Sequence, residues 1–171
     1  MTENYISQPA VFFRREAYER AGGLDVKYHY MLDHLLWIRM AQESKIVYVP
    51  QTWAAARFHP QAKNRNLAVE FPKEAFRILD WAKDQPGLSA TMSRVRRRSL
   101  ASAHRVNARY LLDGGQSAAS LAAWTRALFI HPATALARLN LFGSALLNIL
   151  GLGNMREGIL GLRKSQFENK K

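Results

Sequence analysis

Four side chains in the first third of this 171-residue sequence are of types that could act together: Asp33, Arg57, His59 and Lys63. A carboxylate can take the proton of a hydroxyl as that hydroxyl attacks, and such a base contributes roughly 10²–10⁴-fold to a rate. A planar guanidinium and a point-charge ammonium both hold phosphate oxygens. A neutral imidazole can do something else, which is to coordinate a metal ion. One base beside three cationic or coordinating groups makes a site for a phosphate-bearing substrate.

Short elements must carry these groups. Asp33 stands at the front of LDHLLWIRMAQE, where Leu32, Leu35, Leu36, Arg39 and Met40 recur at helical spacing. A carboxylate in a first helical turn is favoured by the unpaired amides and the macrodipole there. Its bland role is therefore a helix cap, and its sharper role is a base. Downstream, Ile46–Val49 and Trp53–Phe58 have strand character, and His59–Pro60 ends the second because the residue before proline avoids helix. Upstream, Ile6–Phe13 is apolar and aromatic and is expected to be a buried strand. Pro9 marks an edge or bulge in it. Arg14–Ala21 then predicts a short helix, stopped by Gly22–Gly23.

From Leu67 onward the patterning is only helical. Helices are expected over Val69–Lys83, Ser89–Leu112, Ser117–Ile130 and Ala133–Leu150, with a short basic helix near Met155–Lys164. The breaks between them are Gln85–Pro86–Gly87, Asp113–Gly114–Gly115 and His131–Pro132. The expected fold class is thus α+β and mostly α, with an αβ piece over residues 1–66 and an all-helical region over 67–171.

Composition narrows the partners. The hydrophobic share of 48% and charged share of 22% are those of a globular chain. With no cysteine, a disulfide framework and a thiolate metal site are both excluded. The net charge of +12 favours polyanions, whether nucleotide phosphates, nucleic acid or an anionic membrane surface. No basic stretch precedes an apolar core at the N-terminus, so a secretory signal is not expected and a cytoplasmic location is.

Four blocks, in order and spacing, carry a resemblance: Gln8–Pro9–Ala10–Val11–Phe12–Phe13–Arg14–Arg15, Gly22–Gly23–Leu24–Asp25, Met31 to Arg39, and Arg57–Phe58–His59–Pro60 with Lys63–Asn64. Over roughly residues 5–65 the chain resembles the acceptor-side half of a family 2 glycosyltransferase with the GT-A fold. The resemblance implies a partial GT-A domain followed by the helical tail. It implies transfer of a sugar, with inversion, from a nucleotide-sugar donor to a glycan or lipid-linked acceptor such as a nascent surface polysaccharide.

Asp33 matches the family's general base, although Leu32 stands where an acidic residue often precedes it. Arg57 and His59, with Lys63 in the following loop, match the block that faces the donor diphosphate and a divalent metal (Mg2+ or Mn2+), His59 being the candidate ligand. Gln8, His29, Tyr30 and Trp37 are candidates for the acceptor side. The Asp-x-Asp motif, preceding βαβ units and a glycine-rich phosphate loop do not occur in this chain. The chain is therefore expected to be a fragment, whether a truncated gene product, an incomplete reading frame or one part of a split enzyme whose nucleotide-binding half is a separate partner, and alone it is expected to bind donor poorly.

Several features have quieter explanations. His59 could simply end a strand, Lys63 could be a solvated lysine, Trp37 could be core and Gln8 a strand polar. Arg94, Arg98, Arg105 and Arg109 fall along one helical face, which suits nucleic acid or anionic lipid but suits a solvated face better. With no RNA-module or zinc signature alongside, nucleic acid is not the expected partner. Ala108, Trp124, Ala127 and Pro132 weakly fit one tetratricopeptide repeat, and a lone repeat cannot bury its own face, so a packed helix pair is expected. Leu139–Met155 is uncharged, yet Asn140, Ser144, Asn148 and its glycines make it too polar and short to span a bilayer. It could lie in an interface at the inner face of the cell membrane, or be core. The competing function class is a non-catalytic, basic helical scaffold.

Overall fold

The computed structural model describes residue 6, residues 8–55 and residues 70–152. These residues form one 3-10 turn, Gln8–Ala10, and seven α-helices. In chain order the helices are α1 (Arg15–Arg20), α2 (Leu32–Glu43), α3 (Glu70–Lys83), α4 (Ser89–Asp113), α5 (Ser117–Ile130), α6 (Pro132–Leu136) and α7 (Leu139–Ile149).

The expected α+β class with a partial GT-A remnant is overturned, because no strand occurs among the described residues. Ile6–Phe13 contains the 3-10 turn instead, with the Val11 amide donating to the Gln8 carbonyl at 3.3 Å. Ile46–Val49 is irregular and solvent-facing, Tyr48 being 86% exposed. Trp53 to Ala55 is also irregular, and the rest of that expected strand lies outside the described residues. The physical reason is one of partners. β-branched and aromatic residues favour an extended backbone, but a strand exists only when a neighbour exchanges amide and carbonyl bonds with it. The surrounding helices satisfy their own backbones and offer no such neighbour.

The helix boundaries follow their local chemistry. α1 ends where Gly22 and Gly23 take left-handed backbone angles (φ +77° and +64°), which favour glycine. Their amides donate to the Glu19 and Tyr18 carbonyls at 3.0 Å each. α4 and α5 run close to the expected spans. The expected single helix Ala133–Leu150 is instead split into α6 and α7. At the break the Arg138 amide turns to Ala135 O at 3.0 Å, a carbonyl that also accepts from Trp124 Nε1 at 3.2 Å, while Arg105 donates to Thr134 O at 3.2 Å.

Packing forms three clusters. The first is alanine-rich: Ala101, Ala108, Leu112, Ala123, Trp124, Ala127, Ala135, Leu141 and Ala145 join α4 to α7. Such small side chains let helices approach closely, and Ser120 Oγ donates to Ala108 O at 2.6 Å across the gap. The repeat-like residues Ala108, Trp124 and Ala127 are core of this α4–α5 pair. Arg105 is only 6% exposed, so the supposed basic row is interrupted at its centre, although Arg94, Arg98 and Arg109 are solvent-facing. The second cluster unites Tyr28, Met31 and Leu35 with Ala75, Ile78 and Ala103. It therefore bridges the expected division near residue 66. The third sets Leu36, Trp37 and Met40 of α2 against Ala17, Tyr18 and Ala21.

His104 of α4 stands edge-on to Phe76 at 5.0 Å, with Nδ1 buried and without a hydrogen-bond partner. Burial, and secondarily the charge of Arg126, lowers its pKa. A histidine held neutral in the fold contributes stability that is present above its ordinary pKa and lost as pH falls below it. Between pH 7 and pH 5.5 the native chain should lose thermal stability, and His104→Leu should lose less over the same interval. Melting curves at the two pH values compare them.

Candidate functional site

Asp33 lies in the first turn of α2. With 3.6 residues per turn, it shares a face with Leu36, Trp37 and Met40, which pack toward α1. Leu35 and Ile38, on the other side, meet α3 and α4. The carboxylate thus sits one turn beyond the α1-facing row, at the end of α2 next to the tight turn formed by residues 28–31.

The side chains of Asp33 and His34 are 17% and 19% exposed, so both are partly buried. Asp33 Oδ1 accepts from the His34 amide at 2.8 Å and lies 3.2 Å from His34 Nδ1. An ionised carboxylate has only acceptors, so that contact requires the proton on Nδ1. Burial alone would push the Asp33 carboxyl up, but the hydrogen bonds and charge of His34 outweigh it and hold the group below the usual aspartate range. The group is therefore ionised at neutral pH.

α2 lacks a side-chain N-cap of its own, since Met31 occupies that position. Glu74 of α3 instead braces the stretch that leads into the helix. Its carboxylate accepts three consecutive amides, from His29 at 2.7 Å, Tyr30 at 2.8 Å and Met31 at 2.7 Å. The Arg77 guanidinium covers the Tyr28 ring at 4.6 Å and closes the other side of the turn. The clamp thus holds the backbone up to Met31, two residues before Asp33.

The acceptor-side candidates are distributed unevenly. Gln8 opens the 3-10 turn and is exposed, and His29 is exposed beside the clamp. Tyr30 is half-buried, its ring 5.0 Å from Phe71, which in turn stacks on Tyr110 at 4.8 Å. Trp37 is buried, 6.0 Å from Phe13, and is core rather than an open stacking platform. The diphosphate candidates Arg57, His59 and Lys63 lie outside the described residues, so their approach to Asp33 is not part of this geometry. Among the described residues no three His, Asp or Glu side chains come together in a way that could hold a metal ion.

No protein-family model, no curated protein and no solved structure matches this chain.

Two residues of the site carry no motif. His34 is adjacent to Asp33, so its contact could have been anticipated from sequence. Glu74 is more than forty positions away in the chain, and only folding brings it to the turn. Replacing His34 by glutamine should raise the Asp33 pKa, because burial then acts with less opposition. Asp33 gives stability that is present above its unfolded pKa and lost as pH falls through its lower folded value. In the variant the folded value lies closer to the unfolded one, so less stability should be lost and the loss should be complete at a higher pH. A ¹³C titration of the Asp33 carboxyl carbon measures both midpoints.

Proposed function

We propose that this chain supplies the acceptor-side base of an inverting glycosyltransferase that uses a nucleotide-sugar donor and a glycan or lipid-linked acceptor. The observation that carries the proposal is a partly buried, ionised carboxylate in the first turn of a helix, directly after a backbone stretch whose amides a distant second carboxylate accepts. In the reaction the acceptor hydroxyl gives its proton to an Asp33 carboxylate oxygen. The hydroxyl oxygen forms the new bond to the anomeric carbon as the bond from that carbon to the diphosphate oxygen breaks on the opposite face, which inverts the centre. The diphosphate leaves with the electron pair, and by resemblance Arg57, His59 and Lys63 are the groups that meet its charge.

By the same resemblance a divalent metal would belong with a nucleotide-binding portion carrying Asp-x-Asp. The described residues do not offer a donor set for it, and no step above passes through it. Support for such a partner portion comes from Phe12, Val26, Ile46, Val47, Tyr48 and Trp53, which are apolar or aromatic and face water. Phe12 and Trp53 meet edge-on at 5.7 Å, so part of this apolar surface is continuous and available to such a portion. The proposed location is the cytoplasm, at the inner face of the cell membrane.

The test combines this chain with a nucleotide-binding partner and follows labelled sugar from a panel of nucleotide sugars into acceptor. Sustained transfer supports the proposal. Stable association without transfer from any donor favours the second reading, a basic helical scaffold. That reading draws on one observation: the α4–α7 cluster is the most extensive core and involves no part of the Asp33 site.

A further inference from the structure

α7 is apolar on two opposite faces. Leu141 and Ala145 are buried against α4–α6, and Phe142 lies 4.9 Å from Trp124. Leu139, Gly143, Leu146 and Leu150 follow at spacings of four, three and four, which places them on one outward row. Leu139, Leu146 and Leu150 are solvent-facing, and a side chain added at Gly143 would meet nothing within 4 Å. Leu136 of α6 is also exposed, and Phe129 near the end of α5 is 81% exposed. An outward row of leucines on a water-exposed helix costs solubility unless something covers it.

The charge pattern points to the cover. Between Asp113 and Glu157 the sequence has no acidic residue, while Arg126, Arg138 and Arg156 fall within that stretch. An apolar row on a stretch of chain without acidic side chains, with Arg138 immediately before Leu139, suits an anionic bilayer surface, where leucines enter the acyl boundary. No helix among the described residues is long and apolar enough to cross a membrane, so the contact is one of lying on the surface.

We infer that the outer row of α7 is a docking surface for anionic lipid bilayers. The inference deepens the proposal of a lipid-linked acceptor but does not depend on sugar transfer, because lipid binding is measured without donor. A chain that binds vesicles and transfers no sugar would refute only the transfer.

The test is co-sedimentation of the full chain with vesicles of phosphatidylcholine alone and of phosphatidylcholine with phosphatidylglycerol. Binding should require the anionic lipid and weaken with added salt. Leu146→Asp should reduce it about tenfold or more, since a carboxylate then faces both the acyl region and the anionic headgroups. Because Leu146 points outward, this variant should keep the native helical circular dichroism. If it does not, the paired change Leu139→Ser with Leu150→Ser repeats the test without a buried charge. Absence of binding to the anionic vesicles, or binding unchanged in a folded row variant, would overturn the inference. So would a dimer in free solution that the row variants dissociate, since a second copy would then be the cover.

Discussion

Asp33→Asn should lower the proposed sugar transfer by roughly 10²–10⁴-fold when the chain is combined with a nucleotide-binding portion, the range typical of a lost general base. Asparagine has nearly the same shape, and its amide oxygen can still accept from the His34 amide, so α2 should begin where it does now. What it loses is the ability to take a proton. Proton transfer belongs to the transition state, so the loss should appear in kcat with little change in KM for the acceptor. Melting temperature should move by only a few degrees, because one partly exposed hydrogen-bonded carboxylate is being exchanged for a hydrogen-bonding neutral. Initial rates across acceptor concentrations, with a melting curve for the same sample, separate chemistry from folding. A fall in KM-weighted binding alone, with kcat preserved, would assign Asp33 to acceptor contact instead of catalysis.

Glu74→Ala should have the largest effect on stability. Three amides that now donate to one buried carboxylate would lose their acceptor, the Met31 amide in a buried place and the His29 and Tyr30 amides in partly buried ones. A hydrogen bond to a charged group contributes about 1.5–3 kcal/mol, and the three share one carboxylate, so their sum is not additive. A net loss of roughly 3–5 kcal/mol is expected, which for a chain of this size is on the order of 10 °C in melting temperature. Glu74→Gln keeps one carbonyl acceptor and the side-chain volume, and it should recover part of that loss. The same variants should weaken transfer, because the turn that leads into the Asp33 helix would no longer be held. Thermal denaturation followed by circular dichroism checks the order native, glutamine, alanine.

Much of the helical framework was legible from residue pattern. α2 spans the residues LDHLLWIRMAQE, and α5 begins and ends at Ser117 and Ile130, because amphipathic spacing and the Gly–Gly and His–Pro breaks act locally. The strands failed because extended character is local while pairing is not. Ile46–Val49 states a preference that no neighbouring backbone among the described residues completes. The division of Ala133–Leu150 into two helices was hidden for a similar reason. Around the break, Trp124 and Arg105 donate to the Ala135 and Thr134 carbonyls, contacts that arise only on packing. In the site, Asp33 was visible through its motif context and its first-turn position. Glu74 was invisible, because an isolated glutamate on an amphipathic helix looks like any solvated residue until folding buries it.

Chemical rescue bears most directly on the role given to Asp33. In Asp33→Ala a space opens where the carboxylate was, and a small carboxylate such as formate can enter it. Transfer by this variant should be very slow without formate and should rise with formate concentration, while the native chain should not respond. An alanine variant that transfers sugar at the native rate with no formate present would contradict the account.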